Sequence, residues 1–199
     1  MQQRRKWGII IFVSILLAGS GCGIQDIPKA RNKVDAAFAE VTNQYKRRAD
    51  LIPNLVNVVK GYASHEQETL TAVVEARAKA TQATIDPSAL NPQKMQEFIS
   101  AQGGLSQALG RLMVVVERYP DLKANENFRD LQAQLEGTEN RITIARQRAI
   151  EAINEFNNLV TVPPYNITNM IFYRHEKLPQ WSVSEQEKQV IESAPKVEF

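Results

Sequence analysis

The chain has 199 residues, with 24 Lys and Arg against 22 Asp and Glu, 9 glycines, 9 prolines and one cysteine. That length holds one domain with a real core, while a single cysteine excludes a disulfide framework within the chain. Nearly balanced charge argues against a nucleic-acid partner, and few glycines and prolines beside abundant alanine, glutamine, glutamate and arginine make a helical composition.

The N-terminus sets the compartment. Arg4, Arg5 and Lys6 precede an apolar run from Trp7 to Ala18, followed by Gly19, Ser20, Gly21 and Cys22, and no acid appears before Asp26. Basic head, short apolar run and small-residue exit are the parts of a secretory signal, which we place at residues 1–21. The apolar run is short beside the roughly 20 residues that a spanning helix needs. An uncleaved N-terminal helix would give the same topology, because the cations stay on the cytoplasmic side. Cys22 stands where a lipoprotein signal peptidase would leave it as the new N-terminus, its thiol carrying a diacylglycerol, although Gly19 replaces the leucine usual three residues earlier. Two acyl chains suffice for stable anchoring. Without the three signal cations, 21 basic residues face 22 acids, a net charge of −1. The expected location is the cell envelope, facing away from the cytoplasm. Gly23 in place of an aspartate after the cysteine inclines a two-membrane cell toward its outer membrane.

After a linker at 22–27, residues 28–160 carry helical periodicity. Val34, Phe38, Val41, Tyr45, Ile52, Leu55, Val59 and Tyr62 step by three, four or seven, one stripe of a helix. A second run holds Met95, Phe98, Ile99, Leu105, Leu109, Leu112 and Val116, and a third runs from Phe128 through Leu131, Leu135, Ile142, Ala145, Ala149, Ile153 and Phe156 to Val160. Such spacing predicts an all-α fold, an elongated antiparallel four-helix bundle with a short irregular C-terminal tail at 161–199. Its seam would carry Val41, Tyr45, Leu55, Val59, Leu112, Leu131, Leu135 and Ile142. Asn91 and Pro92 suit a helix start, and Tyr119-Pro120-Asp121 marks another turn. The first stripe breaks either at Asp50 to Pro53 or at Gly61 to Ser64. The former keeps Pro53 out of a helix interior, where it would cost about 3 kcal/mol, and gives helices near 28–49, 51–84, 93–118 and 124–160. The tail, with Met170 to Tyr173 and Trp181, is expected to pack partly on the bundle.

Catalytic chemistry has no local signature. His65-Glu66 lacks a second histidine four residues on, Gly103-Gly104 lies within a helical stripe, and no GxSxG occurs. No catalytic residue, cofactor or metal site is expected.

The stretches NQYKRRADLIPNLVNVVKGYASHE at 43–66, RLMVVVERYPDLKANENFRDLQAQLEGTENRITIAR at 111–146 and APKVEF at 194–199 resemble the LemA family of bacterial envelope proteins. The resemblance covers nearly all of the chain after the signal. It implies an elongated helical bundle tethered by its N-terminus to a membrane, and brings no enzyme activity, cofactor or catalytic residues. The chain departs from the family at Ala149-Ile150 and Phe156-Asn157, where Tyr-Asn pairs are usual, and at IFYRHEK, where a glycine-bearing turn is usual.

The expected function is a non-enzymatic binding or scaffold module with an envelope protein as partner. The rivals are an envelope hydrolase, which would need convergent titratable groups in a pocket, and a periplasmic carrier of small apolar ligands, which would need a cavity. In a bundle broken at Asp50, Lys46, Arg47 and Arg48 would share the distal tip with Arg118, Tyr119 and Lys123. Arginine beside an aromatic suits a binding surface, so these six are the candidate partner site. For the anchor, a palmitate analogue should label the wild-type protein in cells and leave Cys22→Ala unlabelled. Full membrane retention of an uncleaved Cys22→Ala chain would establish the helix anchor instead.

Overall fold

A computed structural model describes residues 21–181, with side chains from residue 24 onward. The signal segment up to residue 20, the Cys22 thiol and residues 182–199 lie outside the described residues. The described residues are all-helical: α1 (Gly21–Tyr62), α2 (Gln67–Gln82), a 3-10 turn (Pro87–Ala89), α3 (Pro92–Val116), α4 (Pro120–Ala124), α5 (Glu126–Thr161), α6 (Tyr165–Thr168) and a π turn (Asn169–Tyr173). None of these helices is long and apolar enough to cross a membrane.

The expected break at Asp50 to Pro53 does not occur. Helix α1 runs unbroken for 42 residues with Pro28 and Pro53 inside it, a length of about 63 Å. A proline lacks the N–H that would bond the carbonyl four residues back, and at both sites a distant side chain supplies the missing donor. Arg77 Nε donates to the Ala49 carbonyl at 2.8 Å, and the Tyr173 hydroxyl donates to the Ile24 carbonyl at 2.6 Å. The interior-proline penalty that argues for a break is thereby offset by tertiary contacts invisible in local sequence. The chain turns at 63–66 instead, the second of the two candidate breaks. Ser64 does not cap α2, because Glu66 occupies its N-cap position and no side chain caps it. Residues 22–27, expected as a linker, are helical, and Ile27 is fully buried with Val34, Phe156 and Val160.

The starts of α3 and α5 follow their capping chemistry. The Asn91 side chain accepts from Lys94 N at 2.8 Å with Pro92 in the first turn of α3, and Asn125 accepts from Phe128 N at 3.0 Å to begin α5. Helices α1 and α5 run antiparallel over nearly their whole length. Their cross-links advance on one helix as they retreat on the other, from Lys33–Glu155 through Arg48–Glu139 to Tyr62–Asn125. Because α1 takes up residues 51–62, α2 is only 16 residues long and covers the distal half of α1. The proximal half is closed by the 83–91 connection, where Arg31 donates to the Pro87 carbonyl, and by the tail. The Asn157 amide grips the Leu178 backbone, donating to its carbonyl at 3.0 Å and accepting from its N–H at 2.8 Å. Trp181 then stacks on Phe38 and meets Phe98 edge-on, each at 6.2 Å, with Arg146 over its ring.

If Arg77 stands in for the donor that Pro53 lacks, Arg77→Met should cost about 1–3 kcal/mol in urea unfolding, the penalty of an orphaned buried acceptor. In a Pro53→Ala background the restored amide bonds Ala49, and the same replacement should cost under ~0.5 kcal/mol. Equal costs in both backgrounds would mean that Arg77 acts by some other route.

Candidate functional site

The six residues expected at one tip fall in three places. Arg48 is buried in the bundle, 2% exposed. Lys46 and Arg47 are exposed on the middle of α1, beside Asp50 in a shallow hollow with Asn43, Gln44 and Leu51. Arg118, Tyr119 and Lys123 stand at the distal turn between α3 and α5. The separation follows from the unbroken α1: Arg47 lies 15 residues before its end, about 22 Å along the axis.

Arg48 organises the middle of the molecule. Its Nη1 donates to Ser106 Oγ and to Glu139 Oε2, both at 2.9 Å, and its Nη2 donates to the Gln102 carbonyl at 3.2 Å and to Gln102 Oε1 at 2.8 Å. The guanidinium also lies 5.0 Å from the centre of the Tyr45 ring. Gln102 in turn donates through Nε2 to the Ala80 carbonyl at 2.9 Å, one of the last-turn carbonyls of α2 that lack a partner within their own helix. The layer therefore joins α1, α2, α3 and α5. It also separates two apolar clusters. Ile27 to Tyr45, Ile142 to Val160 and Trp181 lie on the proximal side, and Ile52 to Val59, Leu105 to Val116, Leu122 and Phe128 on the distal side.

Beside this layer α3 and α5 stand apart. The resulting groove, about 340 Å³, is lined by Leu109, Gly110, Met113 and Leu135, with Arg48 and Glu139 at its polar end. Leu135, expected in the seam, is consequently only half-buried; Leu131, also expected there, is half-buried too, and the other six expected seam residues are buried. The groove is open to solvent along the bundle side.

At the distal turn, Glu66 is the organising group. Its Oε1 accepts from Arg118 Nη2 at 2.8 Å and from the Tyr119 hydroxyl at 3.0 Å. Donation to this carboxylate, with partial burial and the carboxylate's charge, holds the Tyr119 phenol above its ordinary range. Lys123 pairs with Glu117 at 2.6 Å, and Asn125 Nδ2 donates to the half-exposed Tyr62 hydroxyl at 3.0 Å. Sequence reasoning misses Glu66 and Tyr62 because it favours the other candidate position for the turn, and it does not single out Asn125. Arg48 carries a readable signal: it falls midway in the seven-residue gap between Tyr45 and Ile52, on the stripe itself. Among the described residues no group of three or more His, Cys, Asp or Glu could hold a metal ion.

These features define an all-helical protein of long antiparallel helices with a polar layer across its core. The chain belongs to the LemA family, whose model matches residues 37–199. It is similar to magnetosome protein MamQ 2 of Paramagnetospirillum magneticum, 28% identical over 138 residues that cover 61% of this chain and 51% of that protein. It is also similar to magnetosome protein MamQ of Magnetospirillum gryphiswaldense, 26% identical over 155 residues, 66% of this chain and 57% of that one. Protein LemA of Metamycoplasma hominis is 23% identical over 117 residues, 59% and 50% of the two chains. The chain thus spans about half the length of the curated relatives it matches.

Arg48→Met removes four hydrogen bonds from the layer at once and strands Gln102. We expect a loss of about 1.5–3 kcal/mol, as for bonds to a charged group. The full cost of breaking a buried ion pair does not apply, because the Glu139 side chain is 53% exposed and can return to water. Arg48→Lys should recover less than half of the loss, since an ammonium cannot reproduce the planar fork. Chemical denaturation of the three proteins measures this, and a change under ~0.5 kcal/mol for Arg48→Met would remove the layer's structural role.

Proposed function

We propose that this protein is a non-enzymatic binding module of the cell envelope, a four-helix bundle held by its N-terminus on a membrane, by lipid at Cys22 or by an uncleaved helix, and turned away from the cytoplasm. The observation that carries this reading is the unbroken α1. It sets the turn of Tyr62, Glu66, Arg118, Tyr119 and Lys123 about 63 Å from Gly21, the residue that ends the signal-like segment. A rigid spacer of that length, ending in ordered arginine and tyrosine, suits a surface offered to another envelope protein. The distal turn is accordingly the partner site, built from Arg118, Tyr119 and Lys123 with Glu66 and Tyr62, while Lys46 and Arg47 lie outside it. Two-membrane cells would carry the protein on the outer membrane.

The reading is tested by cross-linking in intact cells followed by mass spectrometry. Arg118→Glu with Lys123→Glu should leave the melting temperature within about 2 °C and membrane location unchanged, yet lose most cross-linked partners. Lys46→Glu with Arg47→Glu should keep them. Retention of all partners by the first pair would remove the distal turn as the site and leave the groove along Leu109, Met113 and Leu135 as the better surface.

A further inference from the structure

The proximal end carries an apolar surface that the fold does not use. Residues 165–173 form two short turns, α6 and the π turn, folded back beside the start of α1. Asn169 is buried beneath them, its Nδ2 donating to the His175 carbonyl at 2.9 Å while its Oδ1 accepts from the His175 N–H at 3.0 Å. Tyr173, half-buried, reaches the Ile24 carbonyl and stacks on His175, with ring centres 5.8 Å apart. The polar amide and hydroxyl thus point inward. Outward point Ile167 at 54% exposure, Met170 at 67%, Ile171 at 60% and Phe172 at 61%. Ile167, Met170 and Ile171 stand at i, i+3 and i+4, one face of the turn, and Arg174 and Lys177 come next along the chain, both exposed. A short amphipathic turn packed with its apolar side outward has the polarity of a surface made for a non-aqueous neighbour.

Its position says which neighbour. The Tyr173–Ile24 bond ties the turn to a residue only six beyond Ala18, where the apolar run of the N-terminus ends. On the anchored reading proposed above, on which this inference rests, the turn meets the membrane at the point where α1 leaves it. We propose that residues 165–173 are a second membrane contact, setting Ile167, Met170, Ile171 and Phe172 into the interfacial zone of the same bilayer, with Arg174 and Lys177 at headgroup level. A single tether lets a rod pivot. Two contacts at its base, joined by the Tyr173–Ile24 bond, would hold the bundle at one angle and so fix the height of the distal turn.

The test uses the full chain in vesicles of phosphatidylethanolamine and phosphatidylglycerol, with or without lipids brominated high on the acyl chain. Phe172→Trp and, separately, Ile171→Trp add a fluorophore at exposed positions, and wild type supplies the background from Trp181, with Trp7 where the N-terminal segment is retained. Emission added by either variant should be shifted to the blue and at least half lost with brominated lipid. Val114→Trp, at a 72% exposed position on α3 far from this end, should emit as in water and be unaffected. Water-like, unquenched emission from both 171 and 172 overturns the proposal. Blue-shifted emission without quenching also overturns it, since a second copy or another protein then covers the turn. Flotation of the same vesicles separates the two readings: a chain that does not float refutes the anchor, whereas one that floats with an unquenched turn refutes only the second contact.

Discussion

Everything in the middle of this molecule depends on where the Arg48 guanidinium is allowed to be. A cation that far from water carries a desolvation cost of several kcal/mol, and it is tolerable here because acceptors meet it from α3 and α5 and an aromatic face from α1 itself. Those acceptors exist together in only one register. Slide α3 by one turn and Gln102 leaves both Arg48 and the Ala80 carbonyl; slide α5 and Glu139 departs. Apolar stripes alone would tolerate such shifts, since leucine against leucine is nearly as good one heptad away, whereas a buried polar residue in a helical seam selects one alignment. The layer thus supplies alignment where the two apolar clusters supply most of the burial.

The two prolines of α1 show the same economy of partners. A long helix with interior prolines would normally kink or end, because each leaves an acceptor bare. Here each bare carbonyl is met from a different part of the fold: Ala49 by Arg77 of α2, and Ile24 by Tyr173 of the tail. In effect the prolines create docking points on a helix backbone that otherwise bonds only to itself. The tail is held to α1 through such a point, and to α5 through the Asn157 and Asn169 amides. That accounts for a tail that comes after two consecutive prolines and still packs against the bundle as far as Trp181.

Much of this is legible in the sequence, and the features that are not share a common cause. The helical class, the start of α3 and most of the seam follow from apolar spacing and from the Asn91-Pro92 cap. The continuity of α1 does not, because the energy of Pro53 is decided by Arg77, 24 residues away in sequence and adjacent only after folding. From that one position comes the misplaced tip: with α1 ended at residue 49, Arg47 and Arg48 look like terminal cations, whereas Arg48 fills a seam position. Gln102 between Ile99 and Leu105, and Thr138 between Leu135 and Ile142, are polar residues in the same kind of gap, and both are buried. Three helices carrying a polar residue in a stripe gap is a pattern that periodicity can find once the gaps themselves are read. Leu135 is the converse case. Its spacing is that of a core residue, yet it lies on the wall of the groove between α3 and α5.

The division of the core into two clusters bears on how such a chain can work at a distance. The distal half gathers residues of α1, α2, α3, α4 and α5 around Leu55, Val59, Leu105 and Leu112. The proximal half is built on α1, α5 and the first turns of α3 at Met95, Phe98 and Ile99, and the 83–91 connection and the tail close it over Phe38 and Phe156. The family match begins at residue 37, so the buried turns of α1 at Ile27, Ala30 and Val34 extend below the matched part. Elements that close the proximal core also carry the outward-facing apolar turn, and they are bound to α1 at the Pro28 site. A load applied at the distal turn would therefore be transmitted along one continuous helix pair to the place where the tail is fastened. There the tail is held by the Tyr173–Ile24 bond on α1 and by the Asn157 and Asn169 amides on the α5 side.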